Sequence, residues 1–271
     1  MTGDIRHAAV EGASLAYEVA GEGDVLLCVH GFGGSRASWD PVWPALSSGR
    51  RAMRFDQRGF GESIENQASL FSHAEDLIAL LDDACVERCD LVGFSLGGAV
   101  AVNFALDHPE RVRRLVLIGP ALLGWDWSDE WRGSWRSVTT AARAGEMNTA
   151  RRLWINHAMF AAARETPALS ARLETEVARF PGRQWLEPDR QHPVPPDADR
   201  LATLDMPTLL LSGERDSPDL RAIADVLAAL VPHLHRIDYA GCGHMLMLEA
   251  PDRVAADITA FLAEAHYSDR G

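Results

Sequence analysis

The 271-residue sequence has little of what would set it apart from ordinary globular proteins. Its four cysteines, Cys28, Cys85, Cys89 and Cys242, are scattered along the chain. Cys85 and Cys89 can share a helical face, but no second Cys or His pair completes a zinc pattern. Neither a disulfide framework nor a metal centre is expected, and the thiols read as reduced bystanders in a cytoplasmic protein. Long apolar runs are missing too. The longest uncharged stretch, between Asp90 and Asp107, has 16 residues, among them three glycines, a serine and an asparagine. A membrane span needs roughly 20 apolar residues. The opening, MTGDIRHAAVEG, lacks the apolar core of a secretory signal. Positive charge is scarce: 26 cationic against 39 acidic side chains give a formal net charge of −13. That balance argues against nucleic-acid and anionic-membrane partners, which select basic surfaces. No repeat or low-complexity tract is present.

What is present is a composition of 47% hydrophobic and 24% charged residues, that of a soluble globular chain. A chain of this length buries roughly three quarters of its unfolded surface, so it needs no covalent staples. Short apolar runs mark candidate strands at Leu15–Val19, Val25–Val29, Arg51–Phe55, Leu91–Gly93, Leu115–Ile118, Thr208–Leu211 and Leu234–Tyr239. Several are continuous Val/Leu/Ile runs, as in strands buried on both faces of a parallel sheet. Helical patterns lie between them. Ser72 and Glu75 form a capping signature ahead of Leu77, Leu80, Leu81 and Ala84. Pro251 can open a last helix carrying Val254, Ile258, Phe261, Leu262 and Ala265 on one face. The β–α alternation predicts a doubly wound, mostly parallel α/β sheet flanked by helices.

The alternation fails between about 124 and 198, where only helices are expected. Ser128 can cap one with Trp131, Trp135 and Val138, and Asn148 a second with Leu153, Trp154 and His157. Thr166–Pro167 can open a third, closed by Pro181–Gly182. The division expected is a core of 1–123 and 199–271 with a helical cap of 124–198 inserted over the sheet.

The chemistry is concentrated in three loops. Gly93-Phe94-Ser95-Leu96-Gly97 follows a strand and precedes a helix, the context a G-x-S-x-G nucleophile turn requires. Ser95 needs a base, and His244 in Gly241-Cys242-Gly243-His244 follows the last strand. The base needs an orienting carboxylate, and Asp216 leaves the preceding strand at the same edge; Glu214 and Asp219 are its rivals. The order Ser, Asp, His suits this topology. The N–H groups of Leu96 and Phe32, the latter in His30-Gly31-Phe32-Gly33-Gly34, are candidate oxyanion donors. His30 is expected to hydrogen-bond within its own loop rather than act as a base.

These motifs, with Asp56-Gln57-Arg58-Gly59-Phe60-Gly61-Glu62-Ser63 and Glu249-Ala250-Pro251, give a resemblance to the α/β-hydrolase superfamily, notably its small capped serine hydrolases. The resemblance implies the hydrolase fold, a Ser95–His244–Asp216 triad and structural roles for Asp56 and Arg58. Epoxide hydrolases and haloalkane dehalogenases carry aspartate where Ser95 stands, so those chemistries are disfavoured. The chain looks most like carboxylesterases, enol-lactonases of the 3-oxoadipate type and cofactor-free perhydrolases. It implies no cofactor and a small-molecule ester or lactone substrate. Perhydrolase, thioesterase and carbon–carbon bond hydrolase chemistry stay open, as does a non-enzymatic receptor; so does monomer or homodimer.

Six of eight tryptophans fall between residues 125 and 185. Aromatic residues in an insertion above the site predict an apolar pocket, with Phe32, Trp125, Trp131, Trp154 and Met245 as candidate substrate contacts. No arginine cluster stands out along the chain, so an uncharged ester or lactone is expected.

Overall fold

The computed structural model describes residues 4–65 and 70–264. One sheet runs through it, built from β1 (Ile5–Val10), β2 (Ala13–Ala20), β3 (Val25–Val29), β4 (Arg51–Phe55), β5 (Ile64–Glu65), β6 (Cys89–Phe94), β7 (Val112–Ile118), β8 (Thr208–Gly213) and β9 (Leu234–Tyr239). Its order is β1-β2-β4-β3-β6-β7-β8-β9, with β5 beside β2. From β4 to β9 every neighbouring pair is parallel. The β2 strand runs antiparallel to β1, β4 and β5.

Alternate residues of the central strands enter different layers. Leu27, Val29, Leu91, Leu115 and Leu117 belong to one core cluster, and Leu26, Cys28, Val92, Val116 and Ile118 to the other. This period of two feeds helices on both faces. Those helices are α1 (His73–Asp83), α2 (Leu96–Asp107), α6 (Pro218–Leu230) and α7 (Pro251–Ala263). Ser72 caps α1, and Pro251 is the first residue of α7. Ala265, expected on the same face of α7, lies outside the described residues.

Two strands were not expected. β1 reads IRHAAV, with Ala8 its one buried position. An exposed edge strand has no reason to write an apolar alternation, so its sequence is silent. Two-residue β5 is too short to leave any pattern.

Between β7 and β8 no strand occurs among the described residues. Instead the chain forms α3 (Asp129–Arg143), α4 (Met147–Ile155), α5 (Pro167–Arg179) and single turns at Ala161–Arg164 and Arg183–Leu186. The Ser128 hydroxyl accepts the Trp131 N–H and caps α3. Helix α4 begins one residue ahead of the expected Asn148 cap, with Glu146 at its N-cap.

Candidate active site

β6 leads into a sharp turn at Ser95, whose φ of 53° and ψ of −117° no ordinary L-residue favours. Such a conformation costs on the order of 1–3 kcal/mol and survives only where its surroundings impose it. Here the Ser95 N–H donates to the Ile118 carbonyl at 3.0 Å, and its own carbonyl accepts from Gly98 and Ala121 at 2.9 and 3.0 Å. Close approach explains the flanking glycines. A Cβ at Gly97 would stand 2.1 Å from the Val29 oxygen, and one at Gly93 would stand 2.3 Å from the Gly97 oxygen. The turn therefore lifts the Ser95 hydroxyl above the sheet edge at the N-terminus of α2.

His244 and Asp216 reach the same place from loops after β9 and β8. His244 Nε2 lies 3.0 Å from Ser95 Oγ, and its Nδ1 lies 2.8 Å from Asp216 Oδ2. Asp216 Oδ1 accepts the Ser217 N–H at 2.6 Å. Both side chains are almost wholly buried, at 2% and 3% exposure, so their interaction is little screened. The acid and base loops are also tied together. The Arg215 N–H donates to the Cys242 carbonyl at 2.9 Å, and a Cβ at Gly213 would meet the Gly243 oxygen at 2.0 Å. Of the rival carboxylates, Glu214 is exposed, and Asp219 accepts from the Ser128 N–H and hydroxyl at 2.9 and 2.7 Å.

One side chain of the Glu249-Ala250-Pro251 motif takes a part in this arrangement that the sequence did not assign to it. Glu249 Oε2 accepts the Gly243 N–H at 2.6 Å, and its Oε1 accepts the Met245 N–H at 3.0 Å. The carboxylate thus grips the backbone on both sides of His244. The motif marks the position, but nothing in the sequence shows that the Glu249 side chain turns back onto the His244 loop.

The N–H groups of Phe32 and Leu96 donate to no protein acceptor among the described residues. His30 is fully engaged: Nε2 accepts the Gln57 N–H at 3.0 Å and Nδ1 donates to the Gly31 carbonyl at 2.7 Å. Its burial favours the neutral form. Asp56 accepts from the Arg36 and Glu62 N–H groups, and Arg58 pairs with Asp76 at 2.6 and 2.9 Å. A further buried histidine, His157, has its pKa lowered to about 4 by burial and by the neighbouring His244. It stays neutral, with Nδ1 accepting the Met159 N–H and its ring edge-on to Trp131 at 4.6 Å.

Over Ser95 opens a cavity of about 800 Å³. Of the expected contacts, Phe32, Trp131, Trp154 and Met245 line it, but Trp125 does not. Trp125 sits in a turn and packs instead against the main core, with its indole nitrogen buried and unpartnered. Trp127, Trp135 and Phe180 line the cavity in addition. Phe32 is the hub, its ring 5.3 to 5.4 Å from those of Trp135, Trp154 and Phe180. The absence of an arginine cluster in the linear sequence does not carry over to the cavity. Folding brings Arg58, Arg132, Arg136, Arg143, Arg183 and Arg190 onto its wall.

Among the described residues no group of three or more His, Cys, Asp or Glu could hold a metal ion, and no helix is long and apolar enough to cross a membrane.

A family model described as the alpha/beta hydrolase fold matches residues 24–251. The 2-hydroxymuconate semialdehyde hydrolase of Pseudomonas sp. (strain CF600) is 28% identical over 261 residues, 91% of this chain and 89% of that protein. A putative carbamate hydrolase, RutD, of Variovorax paradoxus (strain S110) is 42% identical over 110 residues, only 38% of this chain and 41% of that protein. Among solved structures, the enol-lactonase from Burkholderia xenovorans LB400 superposes with a TM-score of 0.82 at 22% identity, covering 96% of this chain and 100% of that one. Carboxylesterase CesB from Bacillus subtilis does so with a TM-score of 0.81 at 24% identity, covering 98% and 93%. At these identities the two structures speak for the fold.

Proposed function

The chain belongs to the α/β-hydrolase family, and from that premise we propose that it is a serine hydrolase of carboxylic esters or lactones with an apolar acyl or ring portion. The observation that carries the reading is the relay Ser95 Oγ to His244 Nε2 at 3.0 Å and His244 Nδ1 to Asp216 Oδ2 at 2.8 Å. In this reading Ser95 attacks the carbonyl carbon while His244 takes its proton. The N–H groups of Phe32 and Leu96 receive the oxyanion, each such donor being worth on the order of 100- to 1000-fold in turnover. Protonated His244 then delivers the proton to the leaving oxygen, which departs as an alcohol and leaves an acyl-enzyme. Water, activated by the same imidazole, releases the acid. Asp216 holds the His244 tautomer and stabilises the imidazolium. Residues 124–198 act as the cap whose aromatic rings choose the acyl portion.

Carbon–carbon bond hydrolysis with the same relay is a second reading, favoured by the near-full-length similarity to the 2-hydroxymuconate semialdehyde hydrolase. Products formed from a simple ester and from a vinylogous diketone separate the two.

The direct test is covalent trapping. A fluorophosphonate probe is expected to add once per chain, with peptide mass mapping on Ser95 and no adduct in a folded Ser95→Ala variant. An adduct elsewhere, or an unreactive wild type, contradicts the reading.

A further inference from the structure

The cavity has an electrostatic character that the net charge of the molecule conceals. Residues 124–198 balance ten arginines with ten carboxylates, so the whole formal charge of −13 is carried by the rest of the chain. The cavity wall goes further, with six arginines against Glu65, Glu176, Glu187 and Asp189. Four of the six are already paired with carboxylates: Arg58 with Asp76, Arg132 with Asp126, and Arg183 and Arg190 with Glu65. Arg136 and Arg143 carry no carboxylate partner among the described residues.

Their positions are related. Arg136, Thr139 and Arg143 fall at i, i+3 and i+7 of α3, one stripe of that helix, and all three line the cavity. Trp135, beside them, meets the Phe32 ring above the candidate oxyanion donors. From Trp135 to Arg143 the helix rises by about 12 Å. The aromatic wall near Ser95 therefore grades into two free guanidinium groups at the cavity's exposed rim. Glu176 of α5 also lines the cavity, but Arg172 offsets it at 3.3 Å. Every cationic side chain in the sequence is arginine, whose planar fork fits a carboxylate better than lysine does.

We infer that the cavity takes amphipathic, anionic substrates: an ester or lactone whose apolar middle lies along the tryptophans and whose remote carboxylate rests on Arg136 and Arg143. The inference rests on the hydrolase reading for the scissile bond alone. The anion site stands on its own observations. A charge left at the rim keeps much of its hydration, so binding it there costs less than burying it beside Ser95.

The test reads binding on Ser95→Ala protein, by tryptophan fluorescence, with methyl hydrogen sebacate and its neutral counterpart dimethyl sebacate. At low ionic strength the anion is expected to bind about tenfold more tightly, as one partly solvated charge-assisted contact allows. Near 1 M salt, where the Debye length shrinks to about 3 Å, the two probes should bind within about twofold. Adding Arg136→Gln and Arg143→Gln should remove the preference at low salt, whereas Arg152→Gln, on the same cap but off the cavity wall, should retain it. Equal binding of the two probes at low salt overturns the inference, as does a preference that persists in high salt or in the double variant. The salt series uses unaltered arginines, so it decides even where the double variant folds poorly. Wild-type protein that binds the anion but hydrolyses neither probe would count against the hydrolase reading only.

Discussion

Ser95 carries the strain, and Glu249 holds the loop of the histidine that the proposed mechanism pairs with it. In the proposed mechanism the turn positions the Ser95 oxygen, and its proton leaves along a hydrogen bond whose other end sits on a loop 149 residues away. That loop is fixed by Glu249, which accepts the N–H groups of residues 243 and 245. Hydrogen bonds to a charged group contribute about 1.5–3 kcal/mol, and about 1.4 kcal/mol is tenfold in rate. Glu249→Ala is accordingly expected to lower kcat at least tenfold with KM held within about twofold, and Glu249→Gln, which keeps one acceptor oxygen, to fall between. A rise in KM with unchanged kcat would place Glu249 in substrate binding rather than in positioning His244. The serine, histidine and aspartate were legible because the loop chemistry is restrictive: a sharp turn with close backbone approach at Gly93 and Gly97 leaves few other sequences. Glu249 was not, since its role depends on where a side chain doubles back.

At the scale of elements, legibility follows burial. β3, β6, β7 and β8 are buried almost throughout and write continuous apolar runs, whereas edge strand β1 writes nothing. Helices α3 to α5 show their periods, but a period does not say which ridge meets the core and which meets a cavity. Trp125 and Trp127 are two residues apart and both pack against the core, yet only the second also lines the cavity. The same blindness hid the stripe of Arg136 and Arg143. The elements are joined by polar contacts beside Asp216. Ser128, the cap residue of α3, bonds Asp219 of α6, and Glu165 pairs with Arg215 at 2.9 Å through one of two contacts. Losing an N-cap costs about 1 kcal/mol, worth roughly 2–4 °C in Tm for a chain of this size. Ser128→Ala is expected to lower Tm by about that much; adding Asp219→Ala removes the remaining Ser128 N–H bond to that carboxylate and should lower Tm further, but by less than Asp219→Ala alone, because the hydroxyl contact is common to both. Full additivity in a melting experiment would show that the two residues act independently.

For the whole molecule, an acidic α/β body supports a charge-balanced helical insertion, and an 800 Å³ cavity opens over Ser95. In the proposed function the body supplies the reacting groups from three loops at one edge of the sheet. Residues 124–198 supply much of the cavity wall, whose shape and charge depend on tertiary packing, which is why the fold and the candidate reacting groups could be read from sequence while the cavity could not. Ester hydrolysis through Ser95 is tested by initial rates on p-nitrophenyl esters from acetyl to dodecanoyl, with wild type beside Ser95→Ala. Turnover is expected to peak at one acyl length and to be lost in the variant. Turnover in Ser95→Ala within tenfold of wild type would contradict hydrolysis through Ser95.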